Sequence, residues 1–337
     1  MGDASDTNDW RVYRGDDSNG RDRLTQRPEA PPWRQFATIA TNRAEKFNPP
    51  PGVVEAVNAA LYLRRPVLVT GDPGTGKSSL AYAVARELGL GDVLSWNVNS
   101  RSTLAQGLYE YDALARLRAA NLQRLLVTAG DDEPAVRART AAANPEDIGA
   151  FITLGAIGTA FMAPAEKPRV VLIDEIDKSD VDLPNDLLHV FENGQFEIPE
   201  LARIAEQTPS VDVRTLDGDT VSVEHGLVRC AEFPVVIITS NGERDLPPAF
   251  LRRCLRADLP RPDADMLRAI VTKHLPGGDT AALDDLLAKF LAKRDAGAML
   301  ATDQLLNAFY LVTRGKTVTA EDRATIENIV LRELDAR

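Results

Sequence analysis

A chain of 337 residues, 44% of them hydrophobic, is long enough for one α/β core and a smaller second domain, each with a buried interior. Its formal net charge of −11 excludes a generally basic nucleic-acid-binding surface, although a local basic pore stays compatible with it. Cys230 and Cys254 form no C-x-x-C pair and His189, His225 and His274 are scattered, so the sequence suggests no metal cluster and both cysteines read as reduced thiols.

In chain order, residues 1–30 are rich in Asp, Arg, Asn, Ser and Gly, and read as a tail that is disordered or ordered only on contact. The start, Met1-Gly-Asp-Ala-Ser-Asp6, is acidic where a signal peptide is basic and then apolar, and Asp6 breaks the myristoylation pattern. No apolar run approaches the length of a membrane span, which points to a soluble, cytoplasmic protein without a membrane partner. The cluster Pro31-Pro-Trp33-Arg-Gln-Phe36 is either a cap on the core, the simpler reading, or a docking peptide for a neighbouring subunit. Val53, Val54, Val57, Ala60 and Leu61 then mark one helical face, leading into the apolar strand Pro66-Val-Leu-Val-Thr70.

Directly after that strand come Gly71-Asp72-Pro73-Gly74-Thr75-Gly76-Lys77-Ser78-Ser79. The glycines let successive N–H groups turn into one concavity, and the helix that follows adds its positive N-terminal end, which together make a phosphate-binding nest. This is a P-loop for a nucleoside triphosphate, in which Lys77 would reach the β- and γ-phosphates and Ser78 would ligate Mg²⁺. Leu80, Val84 and Leu88 recur on one face of that helix, and Gly89 is its expected stop.

Residues 100–168 form a long insertion, read as two helical stretches, Thr103 to Leu126 and about Pro145 to Met162, around a polar segment from Gly130 to Ala143. Its apolar run from Phe151 to Phe161 either packs under the sheet or faces a central pore. Arg169-Val-Val-Leu-Ile-Asp174-Glu175 is a buried strand ending in two carboxylates, the Walker B pattern. Asp174 stands where Mg²⁺ is held and Glu175 where a base orients or deprotonates the attacking water, while Asp177 reads as structural or intersubunit. Val211 to Val223 alternates apolar and polar residues around Asp217-Gly218, a hairpin signal spanning about 211–224. The strand Phe233 to Ser240 runs into Asn241, whose amide can position the same water. A proline-started helix, Leu246-Pro-Pro-Ala-Phe-Leu-Arg252-Arg253-Cys254, precedes a last strand, Leu255 to Leu259, with Cys254 as a packing residue at its edge. Beyond Pro262 only helical spacing is left: Asp263 to His274, Asp279 to Lys293, Thr302 to Thr313 and Thr319 to Leu334.

This order of motifs resembles the AAA+ ATPases over roughly residues 45–336, and within them the MoxR branch, to which the segments Asn97 to Thr103, Gly107 to Leu114 and Asp180 to Leu188 are also similar. The resemblance implies an αβα core with a parallel five-stranded sheet over residues 31–260, followed by an all-α lid over 261–337. It implies that Arg253 is an arginine finger acting in a neighbour's nucleotide pocket, with Arg252 its alternate or helper, and that Asn99 contacts Glu175. The hairpin matches the pre-sensor-1 hairpin of that clade, and Asn241 its sensor-1 residue. One departure stands out: the start of the third lid helix, Thr302-Asp-Gln-Leu305, lacks the sensor-2 arginine of many relatives. Arg314 lies too far along to replace it, and a neighbour's Arg252 is one source of the missing charge.

The implied activity is ATP hydrolysis at the subunit interfaces of a homo-oligomeric ring, a hexamer, that remodels or activates a protein partner. By resemblance that partner is a von Willebrand factor A domain protein in a bacterial conflict or maturation system. A nucleic-acid-directed motor or restriction-type NTPase is the competing reading, against which the acidic balance counts. A regulatory module that uses nucleotide only as a switch is a third, disfavoured by the presence of both Glu175 and Arg253.

Overall fold

The computed structural model describes residues 11–13, 15, 24–25, 27–129, 146–314 and 319–332. Most of the tail expected to be disordered, and the polar segment 130–143, lie outside the described residues.

Along the chain, α1 (Ile39–Lys46) precedes α2 (Pro51–Leu63), which a proline starts and which buries Val53, Val57 and Ala60. β1 (Val67–Thr70) leads through the glycine loop to α3 (Ser79–Glu87), whose buried face is Leu80, Ala81, Val84 and Ala85. Leu88, expected on that face, falls past the helix end and is exposed, and Leu90 turns inward instead, its N–H on Ala85 O at 2.9 Å. β2 (Leu94–Asn97), α4 (Leu104–Leu108), β3 (Tyr109–Tyr111), α5 (Ala113–Ala129), β4 (Ile152–Leu154), α6 (Ala156–Phe161) and β5 (Val170–Asp174) follow. Next come α7 (Leu183–Asn193), β6 (Gln195–Glu197), α8 (Pro199–Ala202), the hairpin β7 (Ser210–Arg214) and β8 (Thr220–Glu224), then β9 (Leu227–Arg229) and β10 (Val235–Ser240). α9 (Pro248–Leu251) and β11 (Leu255–Asp258) lead to α10 (Ala264–His274), α11 (Thr280–Asp295), α12 (Thr302–Arg314) and α13 (Ala320–Val330).

The contacts divide the chain into two units, and the first comprises Pro49–Thr70 and Leu80–Asp258. Its strands β1, β5 and β10 are apolar almost throughout, as strands covered on both faces must be, and form an all-parallel sheet in the order β11-β1-β10-β5-β2. The register sets Thr70 beside Ser240 and Asp258, and Asn97 beside Asp174, so the C-terminal ends share one edge. That edge is where an open α/β sheet presents its ligand-binding groups. The α/β fold with a five-stranded parallel sheet is the one expected from sequence.

The insertion is less helical than expected. Tyr109-Glu-Tyr111 and Ile152-Thr-Leu154, each inside a stretch read as helix, pair antiparallel and join the hairpin strands in a second sheet, β3-β4-β7-β8-β9-β6. β-branched and aromatic side chains favour the strand wherever a partner edge is present, and the apolar count that suggested helix could not register the partner. Ile152, Leu154, Ile157 and Phe161 are buried in the same apolar cluster as Leu68 and Ile173, so the run from Phe151 to Phe161 packs under the sheet rather than lining a pore.

The second unit comprises Met1–Asn48, the loop Gly71–Ser79 and Leu259–Arg337. Three of its helices begin on side-chain caps: Asp263 accepts from Met266 N, Asp279 from Ala281 N, and Thr319 with Asp322 closes a capping box. Leu267, Leu286, Phe290, Leu305, Phe309 and Ile326 form their common core. Trp33 packs onto this cluster, donating Nε1–H to Asn307 Oδ1 at 3.0 Å with its ring edge-on to His274 and Tyr310, whereas Phe36 is exposed. The proline-rich cluster is therefore a cap, and what it caps is the lid helices. His274 is held neutral: burial, then the charges of Lys46 and Lys273, lower its pKa to about 4.

Trp33→Ala is expected to destabilise the helical unit by about 2–3 kcal/mol, and Trp33→Phe, which keeps an aromatic ring but loses the hydrogen bond and some packing, by about 1–2 kcal/mol; chemical denaturation measures both. Because the folded His274 binds its proton less readily than the unfolded one, the unfolded state takes up more protons between pH 6.5 and about 4. Stability conferred by neutral His274 is whole above that window and falls as pH drops through it, and a His274→Gln protein should show a flatter decline in unfolding midpoint.

Candidate active site

In the glycine loop, φ is +77° at Gly74 and +90° at Gly76, a region that side chains rarely enter. A Cβ at Gly74 would stand 2.8 Å from Ala301 Cβ, and one at Gly76 3.2 Å from the Phe47 ring, so glycine is required on both counts. Thr75 Oγ1 donates to Asp72 O at 2.9 Å, and Ser79 N–H donates to Gly76 O at 2.9 Å where the helix begins. Lys77 is 7% exposed and donates Nζ to Gly71 O and Asp72 O at 2.7 and 2.8 Å, which folds its ammonium back over the loop it belongs to. Arg261, in the segment entering the lid, forms an ion pair with Asp72. The loop suits a triphosphate: its positive-φ glycines allow the turning backbone that a nest requires, and its lysine is held at the loop and not out in solvent.

The carboxylate cluster belongs to the sheet unit. Glu175 follows the last residue of β5 with φ of +62°, a strained turn for a side-chain-bearing residue. Thr239, 1% exposed in β10, secures it: Oγ1 accepts Glu175 N–H at 2.8 Å and donates to Asp174 Oδ1 at 2.6 Å. Glu175 Oε1 accepts from Asn241 Nδ2 at 3.4 Å, and Oε2 from Lys178 Nζ at 2.8 Å. That second bond raises the Lys178 pKa against the opposing effect of desolvation, so Lys178 is a firmly held cation. Asp177 is 2% exposed and accepts both Asn241 N–H and Glu243 N–H on Oδ2 at 3.0 Å. The structural reading of Asp177 thus acquires a purpose, since it fixes the backbone that carries the Asn241 amide.

Hard oxygen donors suit Mg²⁺, and the Ser78 hydroxyl and Asp174 carboxylate are of that kind. Asn99 is used locally instead of on Glu175: its Oδ1 accepts Arg101 N–H at 2.8 Å in a tight turn. Of the paired arginines, Arg253 forms an ion pair with Glu192 at the end of α7 and donates Nη1 to Ala249 O at 3.3 Å, while Arg252 is exposed. Cys254 is buried beside them, its thiol pushed up to about 12 chiefly by burial, which suits a packing residue. Thr239, Lys178 and Glu192 escaped the sequence reading. Thr239 left one clue, a polar residue directly after the apolar run from Val235 to Ile238, two positions before Asn241.

A sequence model of the family described as ATPase family associated with various cellular activities (AAA) matches residues 67–259, more than half of the chain. Comparison with curated proteins gives no match.

Asp177→Ala strips two loop N–H groups of their acceptor and frees Asn241 to drift. Steady-state assays should show nucleotide turnover down by about 10²-fold with affinity within about twofold, and Asp177→Asn in between. Unchanged turnover in a folded Asp177→Ala protein would contradict this role.

Proposed function

The chain belongs to the AAA family of ATPases, and we propose that it is a MoxR-type member acting as a hexameric ring. In this reading it hydrolyses ATP at sites shared between neighbouring copies and uses the cycle to remodel or activate a protein partner in the cytoplasm. The observation that carries the reading is the Glu175 cluster: a carboxylate on a pinned, strained turn, 3.4 Å from the amide of Asn241. That pairing suits one task, holding a water for attack on a terminal phosphate.

The loop from Gly71 to Ser79 would bind the phosphates through its backbone N–H groups, and Lys77 would leave its own carbonyls for the β- and γ-phosphate oxygens. Ser78 and Asp174 would hold Mg²⁺, which neutralises phosphate charge. Asn241 orients the water, and Glu175 takes its proton as the bond from the γ-phosphorus to the β–γ bridging oxygen breaks. Arg253 is assigned to the neighbour's site, which its present partners support, because Glu192 and Ala249 lie on α7 and α9 and outside the Glu175 cluster. The likeness of the hairpin and of the segments Asn97 to Thr103, Gly107 to Leu114 and Asp180 to Leu188 to MoxR-type chains supports a protein partner, a von Willebrand factor A domain protein, over a nucleic-acid substrate.

Glu175→Gln should bind ATP yet turn it over at least about 10²-fold more slowly, and Lys77→Ala should lose binding. Arg253→Ala should be slow by about 10³-fold or more. Mixing Glu175→Gln with Arg253→Ala chains should then recover about a quarter of wild-type turnover, since random assortment in a ring restores that share of complete interfaces. A mixture as inactive as its components would sink the shared-site reading.

A further inference from the structure

Within the unit that holds both the glycine loop and the lid helices, one cleft is lined by Asp72, Pro73 and Thr75 of the loop and by Arg261, Arg294 and Thr302 beyond it. Its charges are unequal in their freedom. Asp72 and Arg261 form an ion pair and offset each other. Arg294, in the last turn of α11, is half-buried, and its Nη1 donates to Pro262 O at 2.7 Å. A backbone carbonyl fixes a guanidinium without cancelling its charge, and the fork has further N–H donors to offer.

The start of α12, which packs against Gly74, supplies no cation. Ala301 Cβ and Thr302 N lie 2.8 and 3.2 Å from the position of a Cβ on Gly74, and the next residue, Asp303, is acidic. Small neutral groups therefore press on the loop while positive charge enters the cleft from α11.

We propose that Arg294 is the lid's contact to the terminal phosphate of a bound nucleoside triphosphate, with Arg261 serving to neutralise Asp72 so that the loop does not repel that phosphate. This rests on the ATPase reading above and fills the place that the start of α12 leaves without an arginine. A forked guanidinium on a phosphate oxygen is a charge-assisted contact, and it discriminates ATP from ADP because only ATP carries the group it reaches.

The test uses the full chain in the Glu175→Gln background, so that ATP is not consumed, and measures equilibrium affinity for ATP and for ADP. Adding Arg294→Ala should weaken ATP binding by about tenfold or more and ADP binding by less than about twofold. Arg294→Lys should recover part of the loss. If Arg294→Ala fails to fold, Arg294→Gln, which keeps the stem and a donor for Pro262, carries the same comparison. Equal losses for both nucleotides, or an ATP affinity that stays within about twofold, would overturn the assignment alone. A parent protein that binds neither nucleotide would overturn the ATPase reading and this inference with it.

Discussion

The Thr239 hydroxyl is shared between the Glu175 N–H, at 2.8 Å, and Asp174 Oδ1, at 2.6 Å, and the geometry of the carboxylate cluster depends on that sharing. Glu175 occupies left-handed backbone, φ +62°, at a cost of about 1 kcal/mol or more. Such a turn persists only where its surroundings over-determine it. The buried hydroxyl does so by accepting the one N–H that the turn would otherwise leave without a partner, and by aiming the adjacent carboxylate with the same atom. Valine would fill the same volume and do neither.

Asp177 completes the arrangement from the other direction. Thr239 lies on β10 and holds the turn after β5; Asp177 lies after β5 and holds the loop after β10 through Asn241 N–H and Glu243 N–H. Two strands already in parallel register are thus tied reciprocally at their C-terminal ends. These ties fix the backbone from which the Glu175 carboxylate and the Asn241 amide, 3.4 Å apart, both extend. Rigidity of this kind suits catalysis by positioning, in which the groups are placed before the substrate arrives.

Local chemistry was what the sequence made legible. The glycine loop, the strand ending in Asp174 and Glu175, the Asp217-Gly218 hairpin and the capped lid helices each announce themselves within a dozen residues, and the family match over 67–259 agrees with the fold read from them. What escaped depends on distant partners. Tyr109 to Tyr111 and Ile152 to Leu154 are strands because each is the other's edge, although 40 residues lie between them. Leu88 looked like core by periodicity, but its helix had ended. Asn99 had the right residue type for a gate on Glu175 and spends its oxygen on its own turn. Arg294 could not be singled out at all, since a basic residue in the last turn of a helix is commonplace and only the cleft reveals what it faces.

The arginine pair shows how fold converts an ambiguous motif into distinct parts. In a helical turn, adjacent residues point about 100° apart, so one element can hold only one of them. Here α7 holds Arg253 through Glu192 and leaves Arg252 in solvent. An exposed ion pair of that sort is worth about 1 kcal/mol or less. In the proposed finger role this would be an advantage, because the guanidinium would exchange one anionic oxygen for another and give up little in leaving the first. In its resting position the side chain also donates Nη1 to Ala249 O at 3.3 Å, so it lies back along α9 as well as against Glu192. On the proposed shared-site reading, Glu192 would be the resting partner of Arg253 and a neighbour's triphosphate the stronger competitor for the same fork.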